Sequence, residues 1–232
     1  MPNSNIDLLK EVARRLGPLL NEVVFVGGCT TGLFITDKAA AEVRPTFDVD
    51  VIAEITSYAD FANFSARLRS LGFQEDTSKG APVYRWVIDG MKLDVMPIDE
   101  KNSRVHKSLV SRGMDAAKEL ELEPGLFIRV ITAPYFVATK LDAFKGRGRG
   151  DFANSHDLED LLAVIDGREE IIKEMTHAGE VRSFVAEQFR MLLETPAFTD
   201  ALPGYLLPDV GSQMRLPILL NRLAKISQGG FE

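Results

Sequence analysis

Cysteine is nearly absent from this chain. Of 232 residues only Cys29 carries a thiol, so no internal disulfide and no thiolate-rich metal site can form. Histidine is almost as scarce. His156-Asp157 has the composition of a phosphohydrolase metal pair, but only His106 and His177 are left to complete such a set. Long apolar runs are missing too: none reaches the ~18 residues that a membrane span requires. The N-terminal stretch MPNSNIDLLKEVARRLG lacks the apolar core of a signal peptide and has the pattern of an amphipathic helix. A reducing cytoplasm and no membrane association are therefore expected. Nor is there a basic excess: 27 Lys and Arg stand against 34 Asp and Glu, for a net charge of -7. That balance excludes a protein that coats nucleic acid, while leaving room for a local basic patch. What remains is ordinary, with 45% hydrophobic and 26% charged residues, enough for a sizeable core in one large domain or two small ones.

Periodicity organises the chain. Ile6, Leu9, Val12, Leu16 and Leu19 recur at helical spacing, and Gly17-Pro18 ends that helix. Val23-Val24-Phe25-Val26 is a short β-branched run closed by Gly27-Gly28, which predicts a buried strand leading into a turn. Thr30 to Ala41 reads as a helix, or a helix plus a loop. Beyond Arg44-Pro45 the segment Thr46-Phe47-Asp48-Val49-Asp50-Val51-Ile52-Ala53 alternates, placing Asp48 and Asp50 on one strand face and Val49 and Val51 on the other. A helix with Tyr58, Phe61, Phe64, Leu68 and Leu71 as its stripe comes next, capped by Ser57 and Gly72. Residues 83–96, VYRWVIDGMKLDVM, flank Asp89-Gly90, the dipeptide favoured in a type I′ hairpin turn. On the second hairpin strand Met91, Leu93 and Val95 share one face, and Asp94 lies opposite with Lys92.

From Thr132 the pattern is helical. Thr132-Ala133-Pro134 opens a helix over Tyr135–Lys145, and the loop Lys145-Gly146-Arg147-Gly148-Arg149-Gly150 is strongly basic. Ser155 caps a helix with Leu158, Leu161, Leu162 and Ile165 as its stripe. A long polar-rich helix around 168–194 and a last one around 214–227 complete the series. No internal repeat is visible. The boundary is placed near 125–135, giving an α/β core over 1–130 and a helical region over 131–232.

Three carboxylates stand out. Asp48, Asp50 and Asp94 each project from a strand whose other face is apolar, so they share a side if those strands neighbour each other. Residues two apart on a strand are ~6.5–7 Å apart at Cα, close enough to share an ion. Carboxylate oxygens are hard ligands suited to Mg²⁺ or Mn²⁺, with substrate phosphates filling the remaining positions. Two such ions would clamp the attacking and leaving oxygens of an in-line displacement at phosphorus. Upstream, Gly27-Gly28 closes a strand and opens a helix, a turn at which phosphate oxygens can approach backbone N–H groups. A glycine turn, an Asp-x-Asp strand and a third strand carboxylate together form the residue inventory of nucleotidyl transfer.

The same residues carry a resemblance. Gly27-Gly28, then Arg44-Pro45-Thr46-Phe47-Asp48-Val49-Asp50, then Lys92-Leu93-Asp94-Val95, resemble the DNA polymerase β-type (minimal) nucleotidyltransferase superfamily. Within it the chain is most similar to the AbiEii/MenT-type group, nucleotidyltransferase-like toxins of type IV toxin–antitoxin systems. Ala138-Thr139-Lys140-Leu141, Arg147 and Ser155-His156-Asp157-Leu158-Glu159-Asp160-Leu161 match that group's downstream layout. The likeness spans roughly residues 20–170. It implies that Gly27 and Gly28 bind nucleotide phosphate and that Asp48 and Asp50 bind metal. Asp94 is implied as the third carboxylate, on metal or as base for the incoming hydroxyl. Lys140 is implied to face the phosphates, and Asp157 to be a polar residue of the site. Where the superfamily often has serine after the first glycine this chain has Gly28, and Thr30 or Thr31 supplies the hydroxyl instead.

Each feature also has a plainer reading. An Asp-x-Asp pair can decorate an exposed strand, a glycine pair can be only a turn, Lys140 can be a solvated helix position, and the basic loop can simply be soluble. Cys29 reads as a small buried side chain, and Phe61, Phe64, Leu68 and Leu71 as core. The expected fold is α+β, a small mixed twisted sheet of nucleotidyltransferase type with a helical C-terminal region closing the active-site cleft. The expected activity is Mg²⁺- or Mn²⁺-dependent transfer of a nucleoside monophosphate from an NTP, such as ATP, to an acceptor hydroxyl, with release of pyrophosphate. The favoured acceptor is RNA, as the 3′ end of a tRNA; a protein or a small molecule is the alternative. An antitoxin is the expected partner if the chain is a toxin. The competing expectation is a non-catalytic nucleotide- or partner-binding protein on the same scaffold.

Overall fold

The computed structural model describes residues 4–98, 106–148 and 150–229, so Arg149 of the basic loop lies outside the described residues. The chain divides into two compact units. Unit 1 comprises 1–30 and 45–132; unit 2 comprises 31–44 and 133–232. The linear boundary near 125–135 leaves 31–44 with the N-terminal part, whereas contacts assign that segment to the helical unit.

Unit 1 begins with α1 (Asn5–Leu16), whose first turn is capped by the Ser4 hydroxyl accepting the Asp7 N–H at 3.1 Å. Leu8, Leu9, Val12, Ala13 and Leu16 form its buried stripe, and Gly17, at φ 50°, ends it. Strand β1 (Val23–Val26) is buried along its whole length. Next come β2 (Asp48–Ala53), α2 (Tyr58–Ser70), β3 (Gln74–Glu75), β4 (Arg85–Ile88) and β5 (Met91–Pro97). Helix α3 (His106–Asp115) and the hairpin β6 (Lys118–Glu123) and β7 (Leu126–Val130) complete the unit. The strands form one mixed seven-stranded sheet in the order β3-β4-β5-β2-β1-β7-β6. Strand β1 pairs antiparallel with β2 and parallel with β7, and β2 pairs parallel with β5.

Two local expectations fare differently. The type I′ hairpin is present, with Asp89 at φ 49° and Gly90 at φ 79° between antiparallel β4 and β5. The α2 stripe is narrower than expected: Phe64 and Leu68 are buried, but Tyr58 at the helix start is exposed. Strands β6 and β7 are not legible in the sequence because the edge strand Lys-Glu-Leu-Glu-Leu-Glu is largely solvated, with charges that protect a sheet margin.

Unit 2 is built on α4 (Ala133–Arg147) and α5 (His156–Gly167), followed by α6 (Ile171–Thr176), α7 (Glu180–Leu193), α8 (Pro196–Ala201), α9 (Val210–Gln213) and α10 (Leu216–Ser227). Pro134 occupies the first turn of α4, where a missing N–H costs nothing. Ser155 caps α5 by accepting the Leu158 N–H at 3.4 Å. The single helix expected over 168–194 is two, α6 and α7, divided at Gly179, which adopts φ 57°. Helix α4 packs on α5 and α7, and α10 on α7 and α5, around Phe136, Leu161, Ile165, Phe189 and Leu223. The segment 31–44 joins this core: Phe34 meets Phe136 with ring centroids 4.9 Å apart, and the Thr36 and Asp37 N–H groups both donate to the Gly167 carbonyl at 2.9 Å. Gly167 eases this contact, because a Cβ there would press on Ile35 and Ala40.

Candidate functional site

The expected carboxylates of unit 1 lie on two adjacent strands. Parallel pairing of β2 with β5 sets Asp50 opposite Asp94 and Asp48 opposite Lys92. In-register residues on neighbouring strands project to the same side, so Asp48, Asp50, Lys92 and Asp94 occupy one face. The other face carries Val49, Val51, Leu93 and Val95, all buried. Burial of that apolar face holds the register, since a slip by one residue would turn all of these side chains over.

Gly27 borders this face. It follows Val26, the β1 partner of Asp50, and adopts φ 74°. A Cβ built at Gly27 would overlap the Asp50 carboxylate, approaching its Cγ to 2.7 Å and its Cβ to 2.8 Å. The glycine is thus what allows Asp50 to lie against the end of β1. Gly28 opens a 3-10 segment, Gly28–Phe34, rather than an α-helix. The Thr30 hydroxyl is fully buried and donates to the Gly27 carbonyl at 2.8 Å, while its N–H reaches the same oxygen at 3.2 Å. Thr30 therefore staples the glycine turn. The Thr31 hydroxyl is buried and has no hydrogen-bond partner among the described residues. Cys29 is fully buried, its thiol donating to the Asn5 carbonyl at 3.3 Å, and burial pushes its pKa up to about 12.

Arg85 of the neighbouring strand neutralises two of these carboxylates, and the sequence reading missed it. Arg85 of β4 pairs with Asp94 in the hairpin register. Its Nε and Nη2 donate to the two Asp94 oxygens at 2.7 Å each, and Nη2 also donates to Asp48 Oδ2 at 2.8 Å. Asp94 is only 5% exposed, so its charge is desolvated and requires such a partner. The bidentate contact with Asp94, stronger than the cost of burial, holds the guanidinium pKa above its ordinary value. The signal was available: a two-residue turn at Asp89-Gly90 makes 88 face 91, and hence 85 face 94.

Among the described residues no group of three His, Cys, Asp or Glu side chains stands together as a metal site. On the carboxylate face Arg85 engages both Asp94 oxygens and one of Asp48. The donor chemistry nevertheless fits a hard divalent cation, and Asp48, Asp50 and Asp94 are the side chains that would hold it.

The other expected residues, Lys140 and Asp157, belong to unit 2 and meet each other there. Lys140 of α4 is buried, and its ammonium donates to Asp160 Oδ2 at 2.6 Å and to Asp157 Oδ1 at 3.4 Å. Arg147 grips Asp157 with two bonds of 2.8 and 2.7 Å, and Arg44 grips Asp160 with two of 2.8 and 2.9 Å. Burial alone would raise the Asp157 pKa, but the Arg147 hydrogen bond and the Lys140 charge outweigh it and hold the carboxyl below its ordinary value. Asp160 and Arg44 were not singled out in the sequence as parts of a site. Asp157 and Asp160 are three apart on α5 and thus share a helix face.

No family model matches the sequence, and no curated protein does. Among solved structures, the chain is similar to an antigenic nucleotidyltransferase-like protein from Paracoccidioides brasiliensis, with 18% identity, 87% of this chain and 93% of that one covered, and a TM-score of 0.49. It is also similar to the antibiotic-resistance factor ANT(2'')-Ia, with 12% identity, 71% of this chain and 84% of that one covered, and a TM-score of 0.45.

Proposed function

We propose that this protein is a metal-dependent nucleotidyltransferase that moves a nucleoside monophosphate from an NTP to an acceptor hydroxyl and releases pyrophosphate. The observation that carries the reading is the register of β2 and β5, which aligns Asp50 with Asp94 on the face that bears Asp48. Gly27 beside Asp50 supports it, because the chain there leaves no room for a side chain. When bound, Mg²⁺ or Mn²⁺ would neutralise polyphosphate charge and favour in-line displacement. Asp48 and Asp50 are the proposed metal ligands. Asp94 is a third ligand or orients the acceptor hydroxyl, and the Gly27-Gly28 backbone receives phosphate oxygens. Lys140 and Asp157 keep the roles that the family resemblance implies, contact with nucleotide phosphate and a polar site position. RNA is the favoured acceptor on account of the basic run that begins at Lys145, in the last turn of α4, and the 3′ end of a tRNA as acceptor, a toxin role and a partner antitoxin in the cytoplasm are inferred from the family resemblance.

The test is incubation of the protein with labelled NTPs, divalent metal, and separate pools of total RNA, cell-lysate protein and small acceptors. Label should enter the RNA pool and be lost in Asp48→Asn and Asp50→Asn variants that melt like the parent. No label in any pool across a range of metal concentrations overturns the enzyme reading.

A second reading has its own observation: Arg85 already neutralises Asp94 and Asp48. A non-catalytic nucleotide- or partner-binding protein would keep its carboxylates paired in this way. It would bind NTP without turnover, and binding would survive Asp48→Ala and Asp50→Ala.

A further inference from the structure

We propose that Arg85 is a resident counter-cation for Asp94 and Asp48, holding oxygens that a divalent ion would need, so that metal loading displaces its guanidinium. The inference rests on the nucleotidyl-transfer reading and concerns the regulation of that same site. Asp94 is 5% exposed, and an isolated carboxylate at such a depth is strongly disfavoured without a compensating positive charge. Arg85 supplies that charge to both Asp94 oxygens and bridges on to Asp48 with the same Nη2 group. One cation thereby spans carboxylates from two strands, as a shared metal ion would.

A second cation lies on the face but does not serve. Lys92 is directly opposite Asp48, yet among the described residues its ammonium makes no hydrogen bond or ion pair, and Asp48 pairs with Arg85 instead. The choice is one of geometry. Arg85 is fixed beside Asp94 by the two-residue hairpin turn, and its planar fork matches a carboxylate with two parallel bonds, whereas an ammonium offers a point charge.

A divalent ion and this guanidinium therefore compete for the same oxygens. The metal-free protein is spared repulsion between carboxylates, and its affinity for cation is lowered by whatever Arg85 contributes. Removing Arg85 should then strengthen metal binding, whereas removal of a residue that merely supports the site would weaken it.

The experiment is a titration of the full chain with Mn²⁺ alone, read by the electron paramagnetic resonance signal of free ion, on the wild type, Arg85→Gln and Arg85→Lys. Arg85→Gln should bind Mn²⁺ at least tenfold more tightly than wild type, with Arg85→Lys in between. Equal affinity in wild type and Arg85→Gln overturns the displacement while leaving the metal-site reading standing. Absence of Mn²⁺ binding in all three overturns both. A second measurement does not depend on Arg85→Gln and covers the case in which that variant fails to fold. The Arg85 Nε–H resonance, assigned by its absence in Arg85→Lys, should shift on saturation with Mg²⁺. An unmoved resonance in protein that binds Mn²⁺ overturns the proposal.

Discussion

At the scale of single residues, the site depends on a side chain that is absent and one that was not anticipated. Gly27 combines φ 74° with an approach of the Asp50 carboxylate that no Cβ could share. Gly27→Ala should lower stability by about 1–3 kcal/mol from backbone strain alone, and should abolish the proposed nucleotidyl transfer, because Asp50 must move; urea unfolding and the labelled-NTP assay read the two effects. The Arg85 contact makes a contrasting prediction. Asp94→Ala should cost about 2 kcal/mol, since it takes the bidentate partner from a largely buried guanidinium, leaving it the Asp48 contact. The matching variant is Asp94→Ala with Arg85→Gln, in which a chemical-denaturation cycle should recover most of that loss. A loss that the second substitution leaves intact would place the cost elsewhere than in the pair.

At the scale of elements, the β4–β5 hairpin does most to assemble the carboxylate face. Its turn sets Arg85 against Asp94 on one side, and β5 sets Asp94 against Asp50 on the other. Gly90 holds φ 79° with nothing close to it, so Gly90→Ala meets only backbone strain. A loss of about 1 kcal/mol is expected in thermal melts, with Mn²⁺ affinity unchanged if the register survives. The pairing of α4 with α5 carries the second cluster and has a pH signature. The folded pKa of Asp157 is depressed, so its contribution is complete above the unfolded carboxyl value of about 3.9 and is lost as pH falls through the lower folded value. Urea midpoints of wild type and Asp157→Asn should therefore differ by a constant amount at pH 5 and above and converge below about pH 4. Asp157 faces Arg147 and Lys140, shares Lys140 with Asp160, and feels the Arg44 charge at longer range.

At the scale of the whole molecule, neither compact unit is one continuous stretch, because 31–44 belongs with 133–232. That segment brings Arg44 to Asp160, Asp37 to Arg215 at 2.7 Å, and Phe34 to Phe136. A chain of residues 133–232 alone would leave the Arg44 and Asp37 positions vacant beside buried charges. It should melt with low cooperativity by circular dichroism, and joining 31–44 to it through a flexible linker should restore a sharp transition. Equal melting of the two chains would show that the segment is peripheral.

Local pattern determined a good deal. Alternation in 46–53 placed Asp48 and Asp50 on one face, the Asp89-Gly90 turn declared its hairpin, and Ser155 announced α5, because each depends on neighbours a few residues away. Some local signals were weaker than the structure they encode: the glycine turn opened a 3-10 segment, and Gly179 split a helix that periodicity carried through. Partnership between distant segments was not legible. That β5 lies beside β2 in register, that Thr30 spends its hydroxyl on the Gly27 carbonyl, and that Lys140 is surrounded by carboxylates are outcomes of packing the whole chain at once. The physical reason is range. Side-chain periodicity is set by backbone geometry within a turn or two, whereas a buried charge takes the counter-charge that tertiary packing brings to it, from whatever part of the chain that comes.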